Sequence, residues 1–179
     1  MSAEPKLIPS SSQTVGPYFR IGLESLVDPS SSIAGGTITI RGRVLDRDRT
    51  PVPDAMLELW TVAEPQAGSH PDLARGFRRV ATDEDGSFSV TMPRPMPLPF
   101  EDRTVQAPHM IVLVFARGLL RQLISRVYLD GDPANDGDPV LLGVPHDRRR
   151  TLIAQADGVD AFRWDVILQG ADETVFFAW

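Results

Sequence analysis

Glycine and proline break this chain too often for long helices: they fill 14 and 16 of its 179 residues, nearly 17% against about 12% in an average protein. Proline fixes φ and removes an amide donor, and glycine in a regular element costs backbone entropy. The segments left between the breaks are short and carry a period of two. Thr37 to Asp46 alternates polar and apolar residues, the mark of a half-buried strand. Ala55 to Ala63 reads as a second strand. Phe77–Thr82 and Ser87–Met92 flank Asp83-Glu84-Asp85-Gly86 as a hairpin whose register turns Phe88, Val90 and Met92 inward.

Proline at every second position from Pro93 to Pro99 predicts an extended, polyproline-like segment that has no place in a central strand. His109 to Ala116 is almost wholly apolar, as a strand covered on both faces would be. Leu123–Leu129 and Ala161–Leu168 complete the main set, with Glu173–Ala178 as an edge strand. Asp147–Ala156 is the helix candidate, opened by an aspartate. The fold expected is all-β: an antiparallel β-sandwich over residues 37–179, with one short helix and an extended N-terminal arm over residues 1–36. The arm is rich in Ser, Pro and Gly, yet Tyr18 and Phe19 within it suggest a docking segment.

Function classes fall away on composition. There is no cysteine, so disulfides, thiolate-bound zinc, iron–sulfur clusters and a cysteine nucleophile are excluded. A net charge of −6 argues against sequence-independent phosphate binding. The first residues lack a secretory pattern, and the longest apolar run, Met110–Ala116, is far short of the roughly 18 residues of a membrane span. A cytoplasmic location is the expectation.

Asp83-x-Asp85-Gly86, and Asp130-x-Asp132 followed by Asp136 and Asp138, resemble calcium loops, but Ala134 and Leu141 stand where ligands belong; solvated turns are expected. Arg148-Arg149-Arg150 reads as a solvated face, and His70 and His146, in proline-flanked loops, as surface histidines. No Gly-x-Ser-x-Gly elbow supports a serine hydrolase. Arg117 follows a buried strand, where binding groups gather and where an ordinary strand-end arginine is as common.

Taken together in chain order, Ser12–Phe19, Leu57-Glu58-Leu59-Trp60, Thr82-Asp83-x-Asp85-Gly86, Arg94–Phe100, Phe115-Ala116-Arg117-Gly118, Arg126–Pro133 and Glu173–Phe177 resemble an intradiol ring-cleaving dioxygenase. Catalytic members hold ferric iron with two tyrosines and two histidines. In the matching stretch here, Gln106-Ala107-Pro108-His109-Met110-Ile111, only His109 remains. Ile111 takes the second histidine position, Gln106 an arginine position and Leu98 a tyrosine position. The resemblance therefore implies a vestigial metal position at His109, no catalytic residue and no cofactor on this chain.

What the resemblance further implies is an iron-free alpha chain paired with a homologous beta subunit that carries Fe(3+). The arm would reach into that partner's cleft, with Thr14, Gly16, Pro17 and Tyr18 lining the pocket and Arg117 close to the substrate carboxylate. The reaction would insert oxygen between the hydroxyl-bearing carbons of 3,4-dihydroxybenzoate to give 3-carboxy-cis,cis-muconate. Two rivals stand beside this: a non-catalytic β-sandwich binding or scaffold module, and an independent metalloenzyme using His70, His109 and His146, for which no spacing speaks.

Overall fold

A computed structural model describes residues 9–16, 18–23, 36–62, 76–100 and 104–178. Its strands form two layers. In one, β1 (Thr37–Leu45) lies between β4 (Ser87–Pro93), which is antiparallel to it, and β10 (Ala161–Arg163) with β11 (Val166–Ile167), both parallel. In the other, β2 (Met56–Trp60) lies between β3 (Phe77–Ala81) and β7 (His109–Phe115), and β7 pairs on with β8 (Leu123–Leu129), all antiparallel. β9 (Ile153–Ala156) passes from one layer to the other: Ile153 and Ala154 run parallel to β8, while Gln155 and Ala156 pair antiparallel with β10. A separate two-stranded ladder joins β5 (Leu98–Pro99) to β6 (Val105–Gln106).

Period-two alternation explains the core. Ile38, Ile40 and Val44 of β1 and Phe88, Val90 and Met92 of β4 are buried against Leu57 and Leu59 of β2 and Met110, Val112 and Val114 of β7. Removing a large aliphatic side chain of this kind from water is worth about 1.5–3 kcal/mol, so these alternating positions fix the register. The other face of β7 and β8 carries a second cluster around Tyr128, Leu141, Val144 and Leu152.

The all-β reading and the inward triad Phe88, Val90 and Met92 hold, with corrections. Ser87–Pro93 and Phe77–Ala81 form no ladder with each other; they pair with β1 and β2 respectively. The Asp83–Gly86 turn thus links two layers instead of closing a hairpin. Gly86 sits at φ 72°, and buried Thr82 anchors the turn by donating to the Val52 carbonyl at 2.8 Å and accepting from the Ala55 amide at 3.0 Å.

The helix expected over 147–156 is a 3-10 turn at Arg149–Leu152 running into β9. Ladder bonds to β8 and burial of Leu152 prevail where Thr151 and Ile153 have only weak helical preference. The short α-helix is instead α1 (Pro139–Leu142), capped by Asp138. Glu173–Ala178 is not a strand. It runs over the second cluster, tied down by bonds such as Phe177 N–H to the Ile124 carbonyl at 2.8 Å. The Ala161–Leu168 strand is split at Trp164–Asp165 into β10 and β11, and three ladders among the described residues are parallel.

Candidate functional site

Two places hold the candidate residues. The first is where the arm meets the loop after β7. That strand leaves the core at Phe115–Ala116, and Gly118, at φ 89°, turns the chain. The freed Gly118 amide donates to Thr14 Oγ1 at 2.7 Å. Phe19 stacks on Phe115 with ring centroids 5.6 Å apart. Turns over residues 18–23 hold the arm's shape, with Phe19 N–H bonded to the Gly16 carbonyl at 3.1 Å.

Asp54, itself at φ 60°, draws two cations to this junction. Its carboxylate lies 3.3 Å from Arg20 of the arm and 3.9 Å from Arg117. The guanidinium of Arg117 remains half exposed and Tyr18 is 77% exposed. Of the predicted lining, Thr14 and Arg117 are therefore brought together; Gly16 and Tyr18 face outward beside them; Pro17 lies outside the described residues. Asp54 was not singled out by the sequence.

The second place is the centre around His109, at the start of β7 and directly across from Tyr128 of β8. Their rings are 5.4 Å apart. His109 Nδ1 is 2.8 Å from the Ala107 carbonyl; since a carbonyl only accepts, that nitrogen carries the proton. Burial, with help from the Arg126 charge, pushes the His109 pKa below its ordinary value, against the Ala107 bond and Asp138. Burial likewise pushes the Tyr128 phenol up.

The Tyr128 hydroxyl donates to Asp138 Oδ1 at 3.0 Å, and the same carboxylate takes the Val140, Leu141 and Ala107 amides. Asp138 is fully buried, which corrects its reading as part of a solvated turn. The signal for this role was its place before Pro139, an N-cap followed by proline at N1. The exposed Asp83, Asp85, Asp130 and Asp136 fit the solvated-turn reading.

Around His109 the donor set does not fit a ferric ion. The β5–β6 ladder sets Leu98 opposite Gln106, and the chain then turns through Ala107 and Pro108 into β7. Leu98 and Ile111 present hydrocarbon, the Gln106 amide oxygen accepts from Arg126 at 3.0 Å, and the Tyr128 phenol is committed to Asp138. One imidazole remains, where a ferric centre needs several hard anionic or imidazole donors. Among the described residues no three His, Asp or Glu side chains group as metal ligands.

His146 is exposed, and His70 lies outside the described residues. The three consecutive arginines are not a plain solvated face: Arg148 donates to the Glu173 carbonyl at 2.7 Å and Arg149 to the Val144 carbonyl at 2.9 Å, which fastens the chain around the second cluster.

Comparison with known proteins gives this geometry a family. A family model described as dioxygenase matches residues 21–170. The chain is 39% identical to the protocatechuate 3,4-dioxygenase alpha chain of Burkholderia cepacia, over 93% of this chain and 95% of that one. Against the alpha chain from Pseudomonas putida it is 34% identical, over 96% and 98%. The Burkholderia cepacia beta chain is 26% identical, over 78% and 67%. Among solved structures, the dioxygenase domain of a carbohydrate-binding fusion from Streptomyces sp. SirexAA-E superposes with TM-score 0.61 at 22% identity, covering 96% of this chain and 97% of that one. Catechol 1,2-dioxygenase from Pseudomonas arvilla C-1 gives TM-score 0.61 at 18% identity, over 79% and 55%; both share the fold. With a family match across most of its length and alpha-chain relatives aligned nearly end to end, this chain belongs to the intradiol ring-cleaving dioxygenase family.

Proposed function

We propose that this chain is the iron-free alpha subunit of a heteromeric protocatechuate 3,4-dioxygenase. It would complete the substrate pocket of a homologous beta subunit that holds Fe(3+) and opens the ring of 3,4-dihydroxybenzoate with O2. One observation carries the reading: the position of a metal centre holds a single imidazole among Ile111, Leu98 and an engaged Tyr128, while the chain keeps 39% identity to an alpha chain along nearly its whole length.

In this reading the arm and Arg117 are the working parts. Thr14 anchors the arm to Gly118, leaving Gly16 and Tyr18 free to face a partner's cleft. Tyr18 supplies an aromatic wall with one polar tip, and glycine lets backbone approach a ligand closely. The half-exposed Arg117 guanidinium suits a benzoate carboxylate, an attraction that strengthens once a partner excludes water. The chain itself positions and holds the substrate; it moves no electron.

The test is co-expression with the beta homologue from the same source. Iron and 3,4-dihydroxybenzoate turnover should appear only in the complex, and Arg117→Gln in the complex should raise KM more than it lowers kcat. Iron-dependent turnover by the chain alone would overturn the assignment. The scaffold reading predicts instead that removing residues 1–19 leaves substrate affinity unchanged.

A further inference from the structure

Beside the His109 centre, on the outer face of β7 and β8, lies a cavity of about 180 Å³ lined by Ile111, Ile124, Arg126, Val140, Phe177 and Ala178. Ile111 and Arg126 stand directly across the ladder from each other, so the floor is half hydrocarbon and half guanidinium. α1 contributes Val140, and the C-terminal segment lays Phe177 over the opening, held by its amide bond to Ile124. The space is below the roughly 300–1,000 Å³ of a drug-sized pocket and near the ~150 Å³ at which an apolar cavity takes up a benzene ring.

The charge in this wall is uncompensated. Arg126 donates to the Gln106 amide oxygen at 3.0 Å and bonds the Tyr128 phenol. Among the described residues it forms no ion pair, and the nearby Asp138 carboxylate is already taken up by Tyr128 and three backbone amides. A half-buried guanidinium has five N–H donors in a fork that matches a carboxylate, and in an apolar wall an anion gains more from it than in water. An apolar space closed on one side by an unpaired cation selects a ligand with the same division: an apolar body and one negative end.

We propose that this cavity binds a small ring-bearing monocarboxylate, its anion on Arg126 and its ring between Ile111, Ile124, Val140 and Phe177. The site is separate from the arm and from Arg117, and it does not rest on the partner role.

Fluorine NMR titration of the full chain with 4-fluorobenzoate and with the neutral 4-fluorobenzamide tests it. The carboxylate should saturate, and the amide should bind about ten- to a hundredfold more weakly, the cost of losing a charge-assisted pair. Because that comparison uses the unaltered protein, it holds whether or not a variant folds. Ile111→Trp, which fills the cavity, should abolish saturable binding, and Arg126→Gln should reduce the preference for the carboxylate to less than about threefold. Equal binding of the two probes, absence of saturation by the carboxylate, or carboxylate binding unchanged in a folded Ile111→Trp protein would overturn the proposal.

Discussion

Tyr128 and Asp138 are joined by a hydrogen bond of 3.0 Å between two fully buried side chains. The partnership sets the surroundings of His109. A tyrosine beside a histidine is a natural start for a ferric site, yet this phenol serves a carboxylate that caps α1 through Val140 and Leu141 and takes the Ala107 amide at the turn into β7. Phenol and carboxylate together hold the loop, the helix and the strand in place.

Asp138→Ala removes the acceptor for three backbone amides and a phenol in one step. Each buried donor left without a partner costs about 1–3 kcal/mol, so urea denaturation should show a loss of at least about 4 kcal/mol, whereas Tyr128→Phe, which removes one donor and leaves Asp138 with its three amides, should lose only about 1 kcal/mol. Comparable losses in the two variants would place the weight on the phenol and contradict the capping role.

Thr14→Val deletes the acceptor of the Gly118 amide. The bond is solvent-exposed, so its net worth is about 0.5–1.5 kcal/mol and global stability should hardly change. Hydrogen exchange at Gly118 should speed up by about two- to tenfold. No change in Gly118 exchange would mean that the arm is not seated by this contact in solution.

Much of this architecture was legible in the chain. Leu123–Leu129 appears as read, and His109–Ala116 to within one residue, because short apolar runs bounded by turn residues mark buried strands. Pairing was not legible. Ser87–Met92 reads as one arm of a hairpin because the turn residues are right, but its partner is set by β1, more than 40 residues upstream in chain order. Around Asp147–Ala156, local preference pointed to a helix and the tertiary ladder won. At the site, the hydrocarbon side chain at Ile111 is plain from the sequence, whereas the use made of Asp138 and Asp54 depends on contacts with segments distant in sequence.

Gly42, in the buried middle of β1, tests how closely that strand packs against the Trp164 segment that joins β10 to β11. A Cβ placed there would sit 1.8 Å from the Trp164 carbonyl oxygen and 3.1 Å from the Phe88 ring. Backbone cannot yield as a flexible side chain does, so Gly42→Ala should cost at least the upper end of the about 1–3 kcal/mol typical of overpacking. Gly118→Ala, in open space but at φ 89°, should cost about 1–2 kcal/mol from backbone strain alone. Thermal unfolding of the pair should rank Gly42→Ala as the more damaging; the reverse order would mean that the Trp164 segment moves away from β1 more easily than the packing implies.

His109 should make stability depend on pH in a defined direction. Its folded pKa lies below the ordinary value of 6.5, chiefly because burial disfavours the charged ring. In the unfolded chain it titrates near 6.5, so below that pH the unfolded state takes up the proton first, and stability falls as pH drops toward the folded value. Above about pH 7.5 both states are neutral and the contribution is flat. One proton limits the slope to about 1.4 kcal/mol per pH unit. His109→Asn places an amide where Nδ1–H now donates to the Ala107 carbonyl and carries no titration. Urea unfolding at pH 7.5, 6.5 and 5.5 should therefore show the native chain losing more stability than the variant between the last two values, so that its margin over the variant narrows as the solution is acidified. Parallel profiles would mean that the ring stays hydrated enough to take a proton without cost, and the dry, structural character assigned to this centre would have to be given up.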